Sequence, residues 1–255
     1  MKKISIILLI SFLSANVFSQ NGSWTKLFDG KTFNGWTKLA GNAEYKIEDG
    51  AIVGITVPNT PNTFLATEKK YNDFILELEV KIEDTTSNSG IQFRSQYDPA
   101  GNNRKGKVYG YQFELDPAAR SWTGGIYDEG RRDWLYPLSL NPSAQKAFKV
   151  GQYNKVRIEC RGNYIQTFVN DQHAASLVDT VDSEGIIALQ VHSIGNPSLA
   201  GKKIYWKNIR IKTGDVQLTA SKRPVYTVNT IPNFLSLQEK KDGWKLLFDG
   251  HTSNG

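Results

Sequence analysis

Three separate stretches of the sequence carry amide and titratable side chains at alternate positions, each beside apolar neighbours. These residues are Gln92 and Arg94 in "GIQFR", Gln112, Glu114 and Asp116 in "YQFELD", and Gln190 and His192 in "ALQVH". Amides and arginine hydrogen-bond in fixed directions, whereas carboxylates and histidine also move protons. If the stretches are neighbouring strands, they form one polar floor that can bind a sugar and carry out acid–base chemistry on it.

His192 is the first candidate for a general base, because the unperturbed pKa of histidine lies near neutrality. A histidine beside carboxylates could also bind a divalent cation, although a lone histidine at a strand end is more often a structural hydrogen-bonding group. Glu114-x-Asp116 resembles the first half of the E-x-D-x-x-E motif of laminarinase-type glucanases. Ala119 stands at the second glutamate position, so retaining hydrolysis by that pair of carboxylates is not expected. The alternative is that Glu114 and Asp116 form ion pairs with Arg94 or Arg120.

The stretch "SWTGGIYDEGRRDWLYPL" concentrates aromatic and charged side chains. Aromatic faces suit the C–H faces of pyranose rings, and arginine suits hydroxyl and carbonyl groups. The alternative is that the aromatic side chains only cover the edge of a sheet. The predicted substrate-binding residues are Gln92, Gln112, Gln190, Tyr127, Arg131 and Trp134.

Alternation of apolar and polar residues is typical of the rest of the chain. "DFILELEVKI" places Phe74, Leu76, Leu78, Val80 and Ile82 on one face, which predicts a half-buried strand. Turn residues separate several further runs of this kind, and no stretch keeps a helical period. The sequence therefore predicts an all-β fold, an antiparallel β-sandwich of the jelly-roll, concanavalin A-like lectin/glucanase type.

Composition excludes several classes of protein. The chain has 255 residues, a formal charge of +6 and no run of Lys or Arg, so no nucleic-acid partner is expected. The single cysteine, Cys160, excludes a disulfide framework and a multi-cysteine zinc site. It lies in the strand-like "KVRIECRG" and is expected to be a buried structural thiol.

Residues 1–19 have the pattern of a secretory signal peptide. Lys2 and Lys3 precede an apolar run, and Val17-Phe18-Ser19 fits the cleavage rule for small residues. The run is too short to span a bilayer, and no later segment predicts a membrane span. We therefore expect export to the periplasm or the extracellular space.

The end of the chain repeats its beginning. "WTKLFDGKTFNG", from Trp24, and "WKLLFDGHTSNG", from Trp244, are identical at 8 of 12 positions. We therefore predict one domain over residues 20–214, a linker over 215–242 and the start of a second copy of the domain in the same polypeptide over 243–255. A short terminus that mimics the opening strand is the alternative.

Several motifs occur in an order typical of one family. They are "LFDGKTFNGW", "EDGAIVG", "YNDFILELEVKI", "NSGIQFRS", "YGYQFELD", "TGGIYDEG" and "GIIALQVHS…IYWKNIRIK", over residues 23–212. In these motifs the chain resembles the 3-keto-disaccharide hydrolase family. The resemblance implies a concanavalin-like jelly roll that cleaves the glycosidic bond of sugars oxidised at C3.

In such a sugar the carbonyl acidifies the C2 proton, so cleavage by elimination and hydration needs one base and one enolate stabiliser. The family's polar positions are matched here by Arg94, Glu114, Asp116 and His192. From the chemistry we assign His192 or Glu114 as the base, Arg94 or a bound cation as oxyanion stabiliser, and Asp116 as orienter of the base. No cofactor is certain, and a divalent cation remains an option. The rival hypotheses are a non-catalytic carbohydrate-binding module and an extracellular adhesion or scaffold domain.

Overall fold

The computed structural model describes residues 22–221 and 223–252. The predicted signal peptide, residues 1–19, lies outside the described residues. Strands β1 to β16 are, in chain order, Trp24–Lys26, Trp36–Ala40, Glu44–Glu48, Ala51–Ile55, Thr63–Thr67, Phe74–Ile82, Ser89–Asp98, Lys107–Leu115, Ile126–Glu129, Asp133–Tyr136, Asn154–Arg161, Tyr164–Val169, Gln172–Val178, Ile186–Val191, Lys203–Thr213 and Thr227–Asn229. Helices α1 and α2 are Gly101–Arg104 and Leu237–Lys241, and 3-10 turns cover Leu138–Leu140, Pro142–Ala144 and Pro197–Leu199.

The strands form two sheets that pack face to face as a sandwich, which confirms the predicted fold class. The larger sheet has the order β16-β13-β12-β11-β6-β15-β4-β3, with β1 paired to β15, and the smaller sheet has the order β10-β9-β8-β7-β14-β5-β2. Only β13 and β16 pair in parallel among the strands of the described residues.

The core lies between the sheets and follows the predicted alternation. On β6, Phe74, Leu76 and Leu78 are buried, and from the other sheet Phe93 and Phe113 fill the same core. Burial of these aromatic and aliphatic faces is the main force that holds the sheets together.

The smaller sheet brings the three polar stretches together, because they are the neighbouring strands β8, β7 and β14. Gln112 lies opposite Gln92 across one strand boundary, and Gln190 lies opposite Gly90 across the next. Gly90 is required here by close approach, since a Cβ atom would lie 2.3 Å from the Gln112 side chain. The predicted adjacency of the three stretches is therefore confirmed.

Residues of the predicted linker pack against the sandwich. Strand β16 pairs with β13, and the Thr219 hydroxyl donates to Glu159 at 2.6 Å. Helix α2 begins with a capping box, in which Ser236 and Glu239 exchange side-chain and backbone hydrogen bonds.

The repeated sequence adopts the same turn at both places. Asp29 accepts hydrogen bonds from the backbone of residues 31 and 32, and Asp249 accepts them from residues 251 and 252. Trp244, Leu247 and Phe248 are exposed, whereas Phe28 of the first copy is buried in the core. That a second copy of the domain begins at residue 243 stays a prediction.

Two smaller expectations from the sequence have a structural counterpart. Cys160 is fully buried, and burial raises the pKa of its thiol to about 12, as expected for a structural cysteine. Among the residues that the structure describes, no helix is long and apolar enough to cross a membrane.

Candidate functional site

A polar cavity of about 300 Å³ opens on the face of the smaller sheet that points away from the core. Its walls are Asn62, Asn88, Gln112, Glu114, Arg120, Tyr127, Glu129, Trp134 and His192. Five of the ten predicted site residues line this cavity directly. Gln92 and Gln190 lie behind the wall, where they hydrogen-bond its residues.

Glu114, on β8, is held in a cradle of amides. Asn88 donates to its Oε1 at 2.8 Å, and Gln112 donates to its Oε2 at 2.7 Å. Gln92 donates in turn to Gln112, and Ser95 donates to Gln92 at 2.8 Å. Each amide is oriented by the next, so the carboxylate has a fixed position.

The same surroundings change the acidity of Glu114. Burial raises the pKa of its carboxyl to about 7, and the charges of Asp116 and Glu129 act in the same direction, while the bonds from Asn88 and Gln112 oppose the shift. Glu114 is therefore a carboxyl that exchanges a proton near neutral pH.

Glu129, on β9, is a second carboxyl at the cavity, and it is half-buried. Asn62 donates to one of its oxygens at 3.0 Å, and Gln190 donates to the other at 3.4 Å. Burial raises its pKa, and the hydrogen bond from Asn62 and the charge of His192 oppose this shift. Sequence analysis did not select Glu129, although it shares a face with Tyr127 by alternation on β9.

His192 follows directly after β14 and lies at the same cavity. Its Nδ1 is 2.6 Å from the carbonyl oxygen of Ser193. A carbonyl only accepts hydrogen bonds, so Nδ1 carries a proton and Nε2 is the free acceptor of the neutral ring. The residue that the sequence proposed as a base therefore lies with Glu114 in one water-accessible hollow.

Aromatic rings and one arginine form the outer wall. The Arg120 guanidinium lies 4.5 Å from the centre of the Trp122 ring and 5.1 Å from that of Trp134. Tyr127 meets Trp134 edge to face at 5.2 Å. These contacts hold a cation and two flat apolar surfaces beside the carboxyls.

Asp116 has a different role from the predicted one. Its carboxylate forms an ion pair with Arg120 and is not among the residues that line the cavity. The ion pair with Arg120 was the alternative that the sequence left open. Asp116 positions the arginine of the outer wall instead of orienting a base.

Arg94 does not reach the cavity, so its predicted role as an oxyanion stabiliser is wrong. A β-bulge lies between Gln92 and Gln96, and Arg94 itself has a φ of 47°. This left-handed residue turns the side chain toward the larger sheet, where it donates to Asp73 and to the carbonyl of Gly162, each at 2.8 Å.

Arg131 is also absent from the cavity. Its guanidinium binds Asp128, which is fully buried, and Asp182 at 2.6 Å. The same Asp128 accepts a hydrogen bond from Arg132. Arg131 therefore belongs to an ion-pair network at the sheet edge, and its predicted contact with substrate is wrong.

The described ranges contain no group of three His, Cys, Asp or Glu side chains placed to hold a metal ion. The divalent cation that the sequence allowed has no such ligand set among these residues. The carboxyl, imidazole and guanidinium groups that line the cavity belong to Glu114, Glu129, His192 and Arg120.

This set of groups fits a reaction that moves protons and creates negative charge. One carboxylate can remove a proton from carbon, and another acidic group can protonate a leaving oxygen. An arginine fixed at the wall can stabilise an enolate oxygen, and the nearby rings can pack against a pyranose.

Comparisons with known proteins identify the family of the chain and agree with its fold. A family model described as a 3-keto-alpha-glucoside-1,2-lyase-like domain matches residues 23–212. A structure described as a glycosyl hydrolase from Parabacteroides distasonis ATCC 8503 is 21% identical, with a TM-score of 0.53, over 76% of this chain and 94% of that chain. A protein of unknown function with a galectin-like fold from Bacillus subtilis is 9% identical, with a TM-score of 0.53, over 74% and 94%. These two structures share the fold, and a search of the curated proteins found no match.

Proposed function

We propose, because the chain belongs to the family of 3-keto-alpha-glucoside-1,2-lyase-like domains, that it is an enzyme that cleaves the glycosidic bond of 3-keto-glycosides. The observation that carries the proposal is the pair of carboxyls, buried Glu114 and half-buried Glu129, at one cavity with His192. Carboxyls whose pKa values are raised by burial in a cleft are more typical of catalytic sites than of sugar-binding surfaces.

The reaction begins at carbon 2, next to the ketone. A base removes the C2 proton, and the electron pair forms an enolate whose negative charge lies on the C3 oxygen. The enolate then expels the aglycone from C1, and the leaving oxygen takes a proton. Water adds to the resulting double bond, with hydroxyl at C1 and hydrogen at C2, so the net change is hydrolysis.

Glu114 is the base in this proposal. With a pKa of about 7, it is a stronger base than an ordinary carboxylate and is still largely ionised in mildly alkaline solution. Its amide cradle keeps the carboxylate in place when the proton arrives. The charge of His192, the other candidate from the sequence, lowers the pKa of Glu129, so in this proposal His192 assists Glu129 at the leaving group.

Glu129 is the proton donor to the leaving oxygen. Its raised pKa increases the fraction of the carboxyl that is protonated, and Asn62 and Gln190 hold it at the cavity wall. Arg120 takes the role that the sequence gave to Arg94, because its guanidinium lines the cavity and stabilises the enolate oxygen.

The test measures turnover of a chromogenic 3-keto-glucoside by the purified protein and by the variants Glu114→Gln and His192→Ala. General acid–base catalysis contributes roughly 10²–10⁴-fold, so we expect Glu114→Gln to lower kcat by about a thousandfold. Glu44→Gln is the control, because Glu44 is exposed on β3 of the other sheet. A kcat for Glu114→Gln within threefold of the control would contradict the assignment of the base.

The second candidate function is a carbohydrate-binding module, which the ring pair of Tyr127 and Trp134 favours. Calorimetry with a plain disaccharide and its 3-keto form distinguishes the two functions. Binding of both sugars without turnover supports the module. Turnover of the 3-keto form supports the enzyme, and no binding of either sugar supports a scaffold domain.

A further inference from the structure

Gln190, on β14, carries a buried polar atom without a hydrogen-bond partner. The side chain is fully buried behind the cavity wall, and its Nε2 donates to Oε2 of Glu129 at 3.4 Å. Its Oε1 accepts no hydrogen bond from any group in the part of the chain that the structure describes. The residues opposite Gln190 on the two neighbouring strands are Gly90 and Phe64, whose side chains cannot donate one. Buried polar atoms in folded proteins are nearly always paired, so this exception requires an explanation.

Two other amides at the carboxyls are fixed in one orientation. Asn62 donates to Oε1 of Glu129 at 3.0 Å, while its own Oδ1 accepts from the backbone N–H of Ser193 at 2.8 Å. Rotation of this amide by half a turn would bring two donors together at Ser193, so it is unfavourable. Gln112, which donates to Glu114, is fixed in the same way by a hydrogen bond to its Oε1. The amide of Gln190 has no such restraint on its oxygen.

The fixed amide of Asn62 decides which oxygen of Glu129 carries the proton of the neutral carboxyl. Oε1 accepts from Nδ2 of Asn62, and a carbonyl oxygen accepts better than a hydroxyl oxygen, so the proton belongs on Oε2. Oε2 is the oxygen that faces Gln190. An O–H group there would meet the N–H donor of Gln190. Rotation of the Gln190 amide by half a turn replaces this conflict with a hydrogen bond from O–H to the unpartnered Oε1.

We propose that Gln190 is a positioning residue for the proton that Glu129 gives to the leaving oxygen, and that its amide reverses with each transfer. When Glu129 is protonated, its Oε2–H donates to Oε1 of Gln190. When the leaving oxygen takes the proton, the electron pair of the O–H bond stays on Oε2, and Nε2 of Gln190 turns back to donate to the new carboxylate. Glu129 recovers a proton from the water whose hydroxyl adds at C1, while Glu114 returns its proton to C2. This inference rests on the proposed function.

The groups around Glu129 act on its charge in opposite directions. His192, which follows β14, and Lys107, on β8, favour the ionised carboxylate, whereas burial favours the neutral form and raises the pKa of Glu129 overall. Glu114, on β8, has a charge of the same sign and also favours the neutral form. The phenol of Tyr127, on β9, stays neutral because burial raises its pKa. These influences bring the two forms of Glu129 closer in free energy, and a reversible amide bonds either of them.

Neutron crystallography of the unaltered protein tests the reversal directly, because deuterium marks an amide nitrogen and leaves an amide oxygen bare. Since the pKa of Glu129 is raised, crystals at about pD 4.5 and about pD 9 hold its two forms. At the lower pD we expect a deuteron on Oε2 of Glu129 and Oε1 of Gln190 facing it. At the higher pD the deuterated Nε2 should face the carboxylate, and Asn62 should keep one orientation throughout. A single orientation of Gln190 in both crystals, or a deuteron on Oε1 of Glu129, would overturn the proposal.

Leaving groups of different basicity test the catalytic role. A nitrophenolate leaves without a proton, whereas methoxide requires one, so only the methyl glycoside depends strongly on the acid. Loss of one hydrogen bond corresponds to about fivefold. We expect Gln190→Met to lower kcat/KM by about fivefold for methyl 3-keto-glucoside and by less than about twofold for the nitrophenyl 3-keto-glucoside. Gln152→Met is the matched control, because Gln152 is exposed in the turn before β11.

The possible failures are distinct. A residue with a structural role alone would lower kcat/KM for both glycosides by the same factor, and that result would refute the assignment of Gln190 while the proposed function stands. A larger loss for the nitrophenyl glycoside would refute it as well. If the unaltered protein turns over neither glycoside, the proposed function fails. The neutron structures need no variant and no turnover, so they decide in every case whether the amide reverses.

Discussion

Removal of the Asn88 side chain should change the pH at which the enzyme becomes active. Asn88 donates a hydrogen bond of 2.8 Å to Oε1 of Glu114, and this bond favours the ionised carboxylate. In Asn88→Ala the carboxylate loses that donor while it stays buried. The protonated form gains in relative stability, so the pKa of Glu114 rises further above about 7.

The size of the shift follows from the strength of the bond. A hydrogen bond to a charged group contributes about 1.5–3 kcal/mol, and water replaces part of it because Asn88 is only half-buried. About 1.4 kcal/mol corresponds to one pH unit. We therefore expect the acid limb of the kcat/KM profile to move up by about one pH unit. Below the limb, the variant should be about tenfold slower than the unaltered protein because of this shift.

The assay is the pH dependence of kcat/KM for a chromogenic 3-keto-glucoside between pH 5 and about 9.5, which reports the free enzyme. Asn34→Ala is the control, because Asn34 is exposed in the connection between β1 and β2. A direct contact of Asn88 with substrate would lower the whole profile without moving it. An acid limb that stays in place or moves to lower pH in Asn88→Ala would refute Glu114 as the base.

Three further predictions concern stability and binding. Glu114 has a pKa of about 7 in the fold against 4.5 for an unperturbed glutamate, so its contribution to stability is present below pH 4.5 and is lost as the pH rises through 7. We therefore expect Glu114→Gln to stabilise the fold more at pH 8 than at pH 4. Urea titrations should show a difference of about 3 kcal/mol between its effects on the unfolding free energy at the two pH values. Arg94→Ala should lower the unfolding free energy by about 2–3 kcal/mol, since it breaks buried bonds, and should change kcat by less than twofold. Trp134→Ala should weaken sugar binding in calorimetry by about tenfold, because one stacking face is lost.

The alternation of side chains along the strands was sufficient to identify most of the site. The polar positions that alternate with apolar residues include Gln112, Glu114 and His192. Such a pattern can be recognised without knowledge of distant contacts. The adjacency of β7, β8 and β14 was an assumption in the sequence argument. It depended on long-range pairing, which local patterns do not determine.

The two arginine errors have different causes. Alternation places Arg94 on the face of Gln92, but a bulge with one left-handed residue reverses this relation, and its sequence contains no glycine or asparagine to indicate it. Arg131 lies in a stretch that contains both acidic and basic residues. Its ion-pair partners depend on which segments of the chain meet in the fold, and one of them, Asp182, is distant in sequence. The sequence analysis considered Arg120 only as an ion-pair partner for carboxylates. In the fold its guanidinium also lies over the rings of two tryptophans.

The amino-acid sequence alone determined the all-β class, the apolar face of each strand, the family resemblance and the candidate carboxylate Glu114. These properties depend on local periodicity and on short motifs, which can be recognised from residues that are close in sequence. Only the tertiary structure decided that Glu129 lies at one cavity with Glu114 and that Arg120, and not Arg94, lines it. Burial and mutual distance set the acidity of each carboxyl, and both arise when strands far apart in sequence become neighbours in one sheet.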